Sequence, residues 1–285
     1  MTAIPIIVGV TGHRNLRPQD TEALRQLVRN GLCALGERYP HSPVQLLCSV
    51  ASGADLLCAE VALDMGISLV CPLPLPIEEY RKDFDGADAL RFDAAVARAS
   101  EVFVAPACET PQGEVTRDFC YRQAGAYVAR HSHVLLALWD GAPAKPHGCG
   151  TAEAVGFMLR GDEQCADAPL FETDGAVWHI LTPRDGDDDS PSPTATLLEN
   201  TSGSLAACLA MTDAFNAEDE PSGGYPLLPP QVARRLRRKA AAHARAISKS
   251  RHAVGTLSKS VSQSHSRAFR AGHGARAGVF AVRRV

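Results

Sequence analysis

The chain has 285 residues, 45% hydrophobic and 21% charged, with a net charge of −3 at neutral pH, which allows one large domain or two small ones of ordinary globular composition. No apolar run approaches the roughly 18–20 residues that span a bilayer, and no basic region precedes the short apolar N-terminal run, so no secretory signal is expected and the chain reads as cytoplasmic. Its nine cysteines are odd in number, form no CxxC pair and sit mostly in apolar segments (Cys33, Cys48, Cys58, Cys71), a usage that suits buried reduced thiols better than disulfides or zinc ligands.

The net charge conceals an asymmetry. Residues 1–230 carry 15 Lys/Arg against 32 Asp/Glu, whereas residues 231–285 carry 14 Lys/Arg and no acid.

Taken in chain order, apolar β-branched runs at Ile4–Val10, Val44–Val50, Ile67–Leu73, Val102–Ala105, Val134–Trp139 and Val177–Thr182 predict strands. They are continuous rather than alternating, as for strands covered on both faces. Between the first two, Leu24, Leu27, Val28, Leu32 and Leu35 share one helical face, with Asp20 as N-cap. Asp55–Met65 predicts a helix stopped by Gly66, and further helices are expected over Ile77–Phe84, Asp88–Ser100, Val115–Arg130 and Thr151–Leu159. This alternation predicts an α/β fold, a doubly wound, mainly parallel sheet with helices on both faces. Past Thr182, "PRDGDDDSPSP" is expected to be an exposed, mobile loop, and Thr196–Asn216 one more amphipathic helix. The expected organisation is a folded domain over 1–217, a linker over 218–230 and a basic, low-complexity tail over 231–285, disordered beyond a short helix at its start. Both a genuine basic arm and an altered reading frame account for that tail.

Ligands of open parallel sheets bind beyond the carboxyl ends of the strands, and three strand-to-helix turns there have chemistry suited to phosphate. In "GVTGHRNL", Gly12 permits close backbone approach while His13 and Arg14 offer donors. In "SVASGADLL", Ser52 and Gly53 fall where backbone N–H groups point outward at a helix N-terminus. In "WDGAPAKPHGCGTAEAV", Gly148, Gly150 and Thr151 lead into a helix bearing Glu153. Plainer readings exist for each. Ser52 and Asp55 fit a capping arrangement, Glu153 suits the positive end of a helix dipole, and Arg14 fits a solvated loop. No standard phosphate fingerprint matches; the coincidence of three such turns on one sheet favours a shared nucleotide-like ligand.

The segments "GVTGHRN", "VASGADLLCAEVAL", "CPLPLPIEEYRKDF", "YRQAGAYVARHSHVLLALWDG" and "GCGTAEAV" together resemble the SLOG superfamily, in order, from about Ile4 to Asn216. That group takes in lysine-decarboxylase-like phosphoribohydrolases, the Rossmann domain of DNA-processing protein A, and nucleotide sensors of bacterial conflict systems. The resemblance implies a Rossmann-like fold holding a nucleotide or a nucleotide-derived second messenger at the glycine turns; a mononucleotide, an ADP-ribose derivative and a cyclic nucleotide all remain open as the ligand. On matching positions it implies contacts from Gly12, His13 and Arg14, from Ser52, Gly53, Ala54 and Asp55, and from Gly150, Thr151 and Glu153. Asp140 and Gly141 end a strand beside them. Tyr121 is placed to stack on a base, or else is a half-buried helix residue.

Three functions follow as expectations. The first is a non-catalytic sensor, possessing no cofactor beyond its ligand, that signals through self-association or a separate effector protein, as in antiviral defence. The second is a nucleoside 5′-monophosphate phosphoribohydrolase using Glu153 and Arg14. The phosphoribohydrolase motif is PGGxGTxxE, however, whereas "HGCGTAE" sets Glu153 two residues after Thr151, a rotation of about 100° on a helix. The third is DNA processing, with salt-dependent phosphate contact through the basic tail; that tail has only Phe269 and Phe280 for stacking. Its "RRLRRK" cluster equally suits an acidic partner or a membrane surface. His131 and His133 lack an evident third ligand, so no metal is expected.

Overall fold

The computed structural model describes residues 3–108, 114–143, 150–160, 175–187, 189–199 and 204–217, all within the unit Met1–Gly223. The linker and basic tail (218–285), together with Gly148, lie outside the described residues.

Among the described residues, seven strands form one sheet: β1 (Ile6–Gly12), β2 (Val44–Leu47), β3 (Ser68–Leu73), β4 (Glu101–Val104), β5 (Val134–Trp139), β6 (Ala176–Leu181) and β7 (Thr194–Glu199). Their order is β4-β3-β2-β1-β5-β6-β7, parallel throughout except for β7, which runs antiparallel to β6. The helices are α1 (Thr21–Arg38), α2 (Ala54–Asp64), α3 (Ile77–Tyr80), α4 (Gly86–Arg98), α5 (Arg117–Arg130), α6 (Thr151–Arg160) and α7 (Ser204–Ala217). This is the doubly wound, Rossmann-like α/β architecture.

Side-chain alternation along the buried strands splits the core in two. Val8, Val10, Leu46, Leu69 and Leu136 face α1, α2 and α4, meeting Leu24, Leu57 and Phe92. Ile7, Leu47, Val70, Leu135 and Ala137 face α5 and α6, meeting Val128 and Val155. The helices sit so because right-handed crossovers travelling in opposite directions from β1 leave their helices on opposite faces. The chain steps outward from β1 to β4, then returns under the sheet through α5 to place β5 against the other edge of β1. The topology therefore switches between β1 and β5.

α2 lies between α1 and α4, and from Ala54 to Ala62 only Glu60 escapes burial. A helix enclosed in this way has no polar stripe, which fits a sequence that is apolar from Leu56 to Ala62 except at Glu60. At the other end of the molecule Asn216 ties α7 to the N-terminus. Its Oδ1 accepts from the Ile4 N–H at 2.9 Å, and its Nδ2 donates to the Ile4 carbonyl and Ser42 Oγ, each at 2.9 Å.

Four sequence expectations need correction. Thr196–Asn216 is not one helix: Thr194–Glu199 pairs with β6, register Ala176 opposite Glu199, and the helix begins at Ser204. Ile77–Phe84 breaks into the single turn α3 and a 3-10 turn over Arg81–Asp83. The acidic stretch after β6 is exposed as expected, but its described residues are strapped down, because the buried guanidinium of Arg17 donates to the carbonyls of Asp187 (2.8 Å), Ser190 (3.2 Å) and Pro191 (3.4 Å) and to Asp20 Oδ2 at 2.6 Å. Asp20 stands at the N-cap of α1 as expected, but its carboxylate is spent on Arg17 and makes no side-chain cap bond. Finally, Cys33 is exposed, whereas Cys48, Cys58 and Cys71 are buried.

Candidate functional site

At the switch point the residue after β1 joins three elements. The His13 N–H donates to the Leu138 carbonyl of β5 at 3.1 Å, and the His13 carbonyl accepts from Ala54, the first residue of α2, at 3.0 Å. Two glycines make this junction possible. A Cβ on Gly12 would overlap Ala54 Cβ and lie 3.0 Å from Leu138 Cβ. Gly53 has φ +82°, and a Cβ there would overlap the Arg14 carbonyl. Both turn glycines are thus accounted for by strand–helix packing.

The His13 ring is buried. Its Nε2 accepts from the Asp140 N–H at 3.0 Å and lies 3.2 Å from Asp140 Oδ1. Burial lowers its pKa, helped by the positive charge of Arg184 and opposed by Asp140. His13 is therefore a neutral pin between the ends of β1 and β5. Asp140 is also fixed: its Oδ2 accepts from Arg184 Nε at 2.7 Å and its Oδ1 from the Ala142 N–H at 2.9 Å. Burial alone would raise its carboxyl, but these bonds and the positive charge of Arg184 outweigh it and the pKa falls.

Around this junction opens a cavity of about 430 Å³, within the ~300–1,000 Å³ usual for small-molecule sites. Gly12, His13, Arg14, Asp55, Tyr121, Gly150 and Thr151 all line it, so the three glycine turns do contribute to one space. Ser52, Gly53, Ala54, Asp140, Gly141 and Glu153 are not in its wall. Ser52 does not cap α2 either; the N-cap is Gly53, with no side-chain bond.

Asp55 is the unusual group in the wall. It lies in the first turn of α2, is 6% exposed, and its Oδ2 accepts from the Ala51 N–H at 3.3 Å. Burial pushes its carboxyl up from 3.8 to about 7, against the opposing pull of the Ala51 N–H and the Arg14 charge. The segment leading to it carries strain: Val50, β-branched and fully buried, sits at φ +50°, a conformation costing on the order of 1–3 kcal/mol.

Arg14 is exposed at the mouth, its guanidinium carbon 5.5 Å from the centre of the Tyr121 ring. Tyr121 is held by its hydroxyl, which donates to Asp83 and accepts from Arg117 Nε at 3.2 Å. A base stacking on the face that Arg14 covers requires Arg14 to move. Glu153 faces elsewhere: its Oε1 accepts from Arg122 Nε at 2.7 Å, tying α6 to α5, and Arg122 lies 5.0 Å from the Phe157 ring centre. One oxygen of the carboxylate that the resemblance offers for hydrolysis is thus held by Arg122, while Oε2 is buried with no hydrogen-bond partner among the described residues.

Sequence reasoning missed Arg184 and Tyr80, both in the wall. A usable signal existed for Arg184, a cation two residues past a predicted strand, as Arg14 stands four past another. It was obscured by the acidic residues that follow. His133 accepts the Ile7 N–H at its Nδ1 at 3.0 Å, and among the described residues no three His, Cys, Asp or Glu are grouped to hold a metal. No described helix is long and apolar enough to cross a membrane.

No model of a known protein family matches the chain, and no characterised protein matches it in sequence. Among solved structures it is similar to DNA processing protein A from Streptococcus pneumoniae, at 16% identity and a TM-score of 0.38 over 65% of this chain and 52% of that one. It is also similar to DNA processing protein A from Helicobacter pylori, described with single-stranded DNA, at 13% identity and a TM-score of 0.36 over 55% of this chain and 62% of that one. The matched region thus spans between half and two thirds of either neighbour.

Proposed function

We propose that the cavity binds a nucleotide or nucleotide-derived second messenger without turning it over, the role of a SLOG-type sensor domain. One observation carries the reading: two guanidinium groups from separate loops, Arg14 and Arg184, and the first turn of α6 at Gly150 and Thr151 border one cavity at the topological switch point. Cations and a helix N-terminus around a crevice at the carboxyl ends of parallel strands suit a phosphate-bearing ligand. The hydrolase reading loses support because Glu153 is paired with Arg122 outside that wall.

The test is a thermal-shift screen of the full 285-residue chain against mononucleotides, NAD, ADP-ribose and cyclic nucleotides, with chromatography of each stabilising compound after overnight incubation. Stabilisation by a ligand recovered intact, and lost in Arg14→Ala and Gly150→Asp, is the expected result. Free base and ribose 5-phosphate would make the protein a hydrolase, and no stabilisation at all would leave the turns as packing devices. The basic segment 231–285, with 14 Lys/Arg and no acid, supports a separate nucleic-acid contact. That contact is expected to weaken steeply with salt and to vanish when the segment is deleted.

A further inference from the structure

We propose that this site takes up its anionic ligand together with a proton, which lodges on Asp55. The inference rests on the anion-binding reading above and adds what the anion does to the site.

Asp55 is a carboxyl with little to hold a negative charge. Its environment brings Cys48 from the end of β2, Cys58 from its own helix, Cys71 from β3, Tyr80 from α3 and Arg14 from the loop after β1. Burial pushes all three thiols and the phenol upward, so none of them carries charge at neutral pH and Arg14 is the cation that favours the carboxylate. Two hydrogen bonds also favour the carboxylate, a long one from the Ala51 N–H at 3.3 Å and one from the Cys48 thiol, but they do not offset burial. Asp55 and Arg14 line the same cavity.

A phosphate that engages Arg14 removes that help and adds a second negative charge to the same space. Both changes disfavour the carboxylate, since a like charge nearby and the loss of an opposite one each raise an acid's pKa. The liganded protein then holds more protons than the free one, and by linkage the ligand binds more tightly as pH falls. Starting from about 7 in the free protein, and with a rise of one to two pKa steps on binding, affinity increases roughly five- to tenfold from about pH 8 to about pH 6.

The experiment is isothermal titration calorimetry on the full chain with ADP-ribose and with 3′,5′-cyclic AMP, whose phosphates keep a fixed charge through this pH range. Two buffers of different ionisation enthalpy are used, neither containing phosphate. At about pH 7.5 the buffer dependence of the heat is expected to report uptake of roughly half a proton or more. In Asp55→Asn the uptake disappears and affinity becomes flat with pH, at or above the wild-type value on the alkaline side. A 13C-carboxyl titration of Asp55 in the wild-type protein, free and liganded, locates the proton even if the variant folds poorly. Binding without proton uptake, or uptake that persists in Asp55→Asn, overturns the coupling and leaves the nucleotide reading standing. Failure of both compounds to bind overturns the coupling and counts equally against the reading beneath it.

Discussion

Replacing Asp55 by Asn, in the absence of any ligand, is expected to stabilise the fold, and to do so increasingly with pH. In the folded protein the carboxyl is raised from 3.8 to about 7 by burial, against the Ala51 N–H and Arg14. A group whose folded pKa lies above its unfolded value contributes fully below the unfolded pKa and loses that contribution as pH rises through the folded one. The window is therefore about pH 4 to 7. With about 1.4 kcal/mol for each pKa step, the whole shift corresponds to about 4 kcal/mol by pH 8. Roughly 2–3 kcal/mol of this falls between about pH 5 and about pH 8. Asn keeps an oxygen for the Ala51 N–H and never ionises, so it avoids the loss. Urea denaturation of both proteins at the two pH values measures it, the gap between them widening in favour of Asn at the higher pH. A variant less stable than wild type at pH 8 would show that Arg14 holds Asp55 ionised in the fold. Burial would then not govern the charge of Asp55.

Further outcomes bear on the scaffold. A Cβ on Gly31 would fall inside the Trp178 ring; Gly31→Ala is expected to cost about 1–3 kcal/mol through overpacking, despite alanine's better helix propensity, with a change in tryptophan fluorescence alongside the lowered denaturation midpoint. Arg17→Ala leaves Asp20 buried without its partner and frees the strap after β6, so a loss of about 3 kcal/mol and faster proteolysis between residues 184 and 193 are expected. Asn216→Ala removes three hydrogen bonds that tie α7 to Ile4 and Ser42, for which about 1–3 kcal/mol is expected in thermal denaturation. Glu153→Gln keeps an acceptor for Arg122 and lies outside the cavity wall, so unchanged nucleotide affinity is expected; a marked loss would place Glu153 at the ligand after all.

The elements whose burial is complete were the most legible. β1, β5 and β6 read directly as continuous apolar runs, and α1 as a clean helical face, because both signals are local and strong. β7 was not legible. "TATLLE" has only six residues, and its strand state comes from pairing with β6, a contact no local window contains. The strap after β6 has the same origin: composition called it mobile, and the cation that fixes it, Arg17, lies about 170 residues earlier in the chain.

The candidate site divides along the same line. Glycines, an arginine and helix starts after three strands pointed to the first, second and third turns, since backbone turns at strand ends must be built from such residues whatever the fold does next. Their meeting in one cavity required the order that sets β1 between β2 and β5. Only packing could say that Gly12 and Gly53 serve the β1–α2 junction, that His13 is a neutral pin, and that Glu153 turns toward Arg122. Sequence fixes which side chains follow each strand; the crossovers and the register decide which of them share a space. Asp55 shows why this matters, because enclosure of α2 between α1, α4 and the sheet is what takes water from an ordinary carboxyl and gives it chemistry near neutral pH.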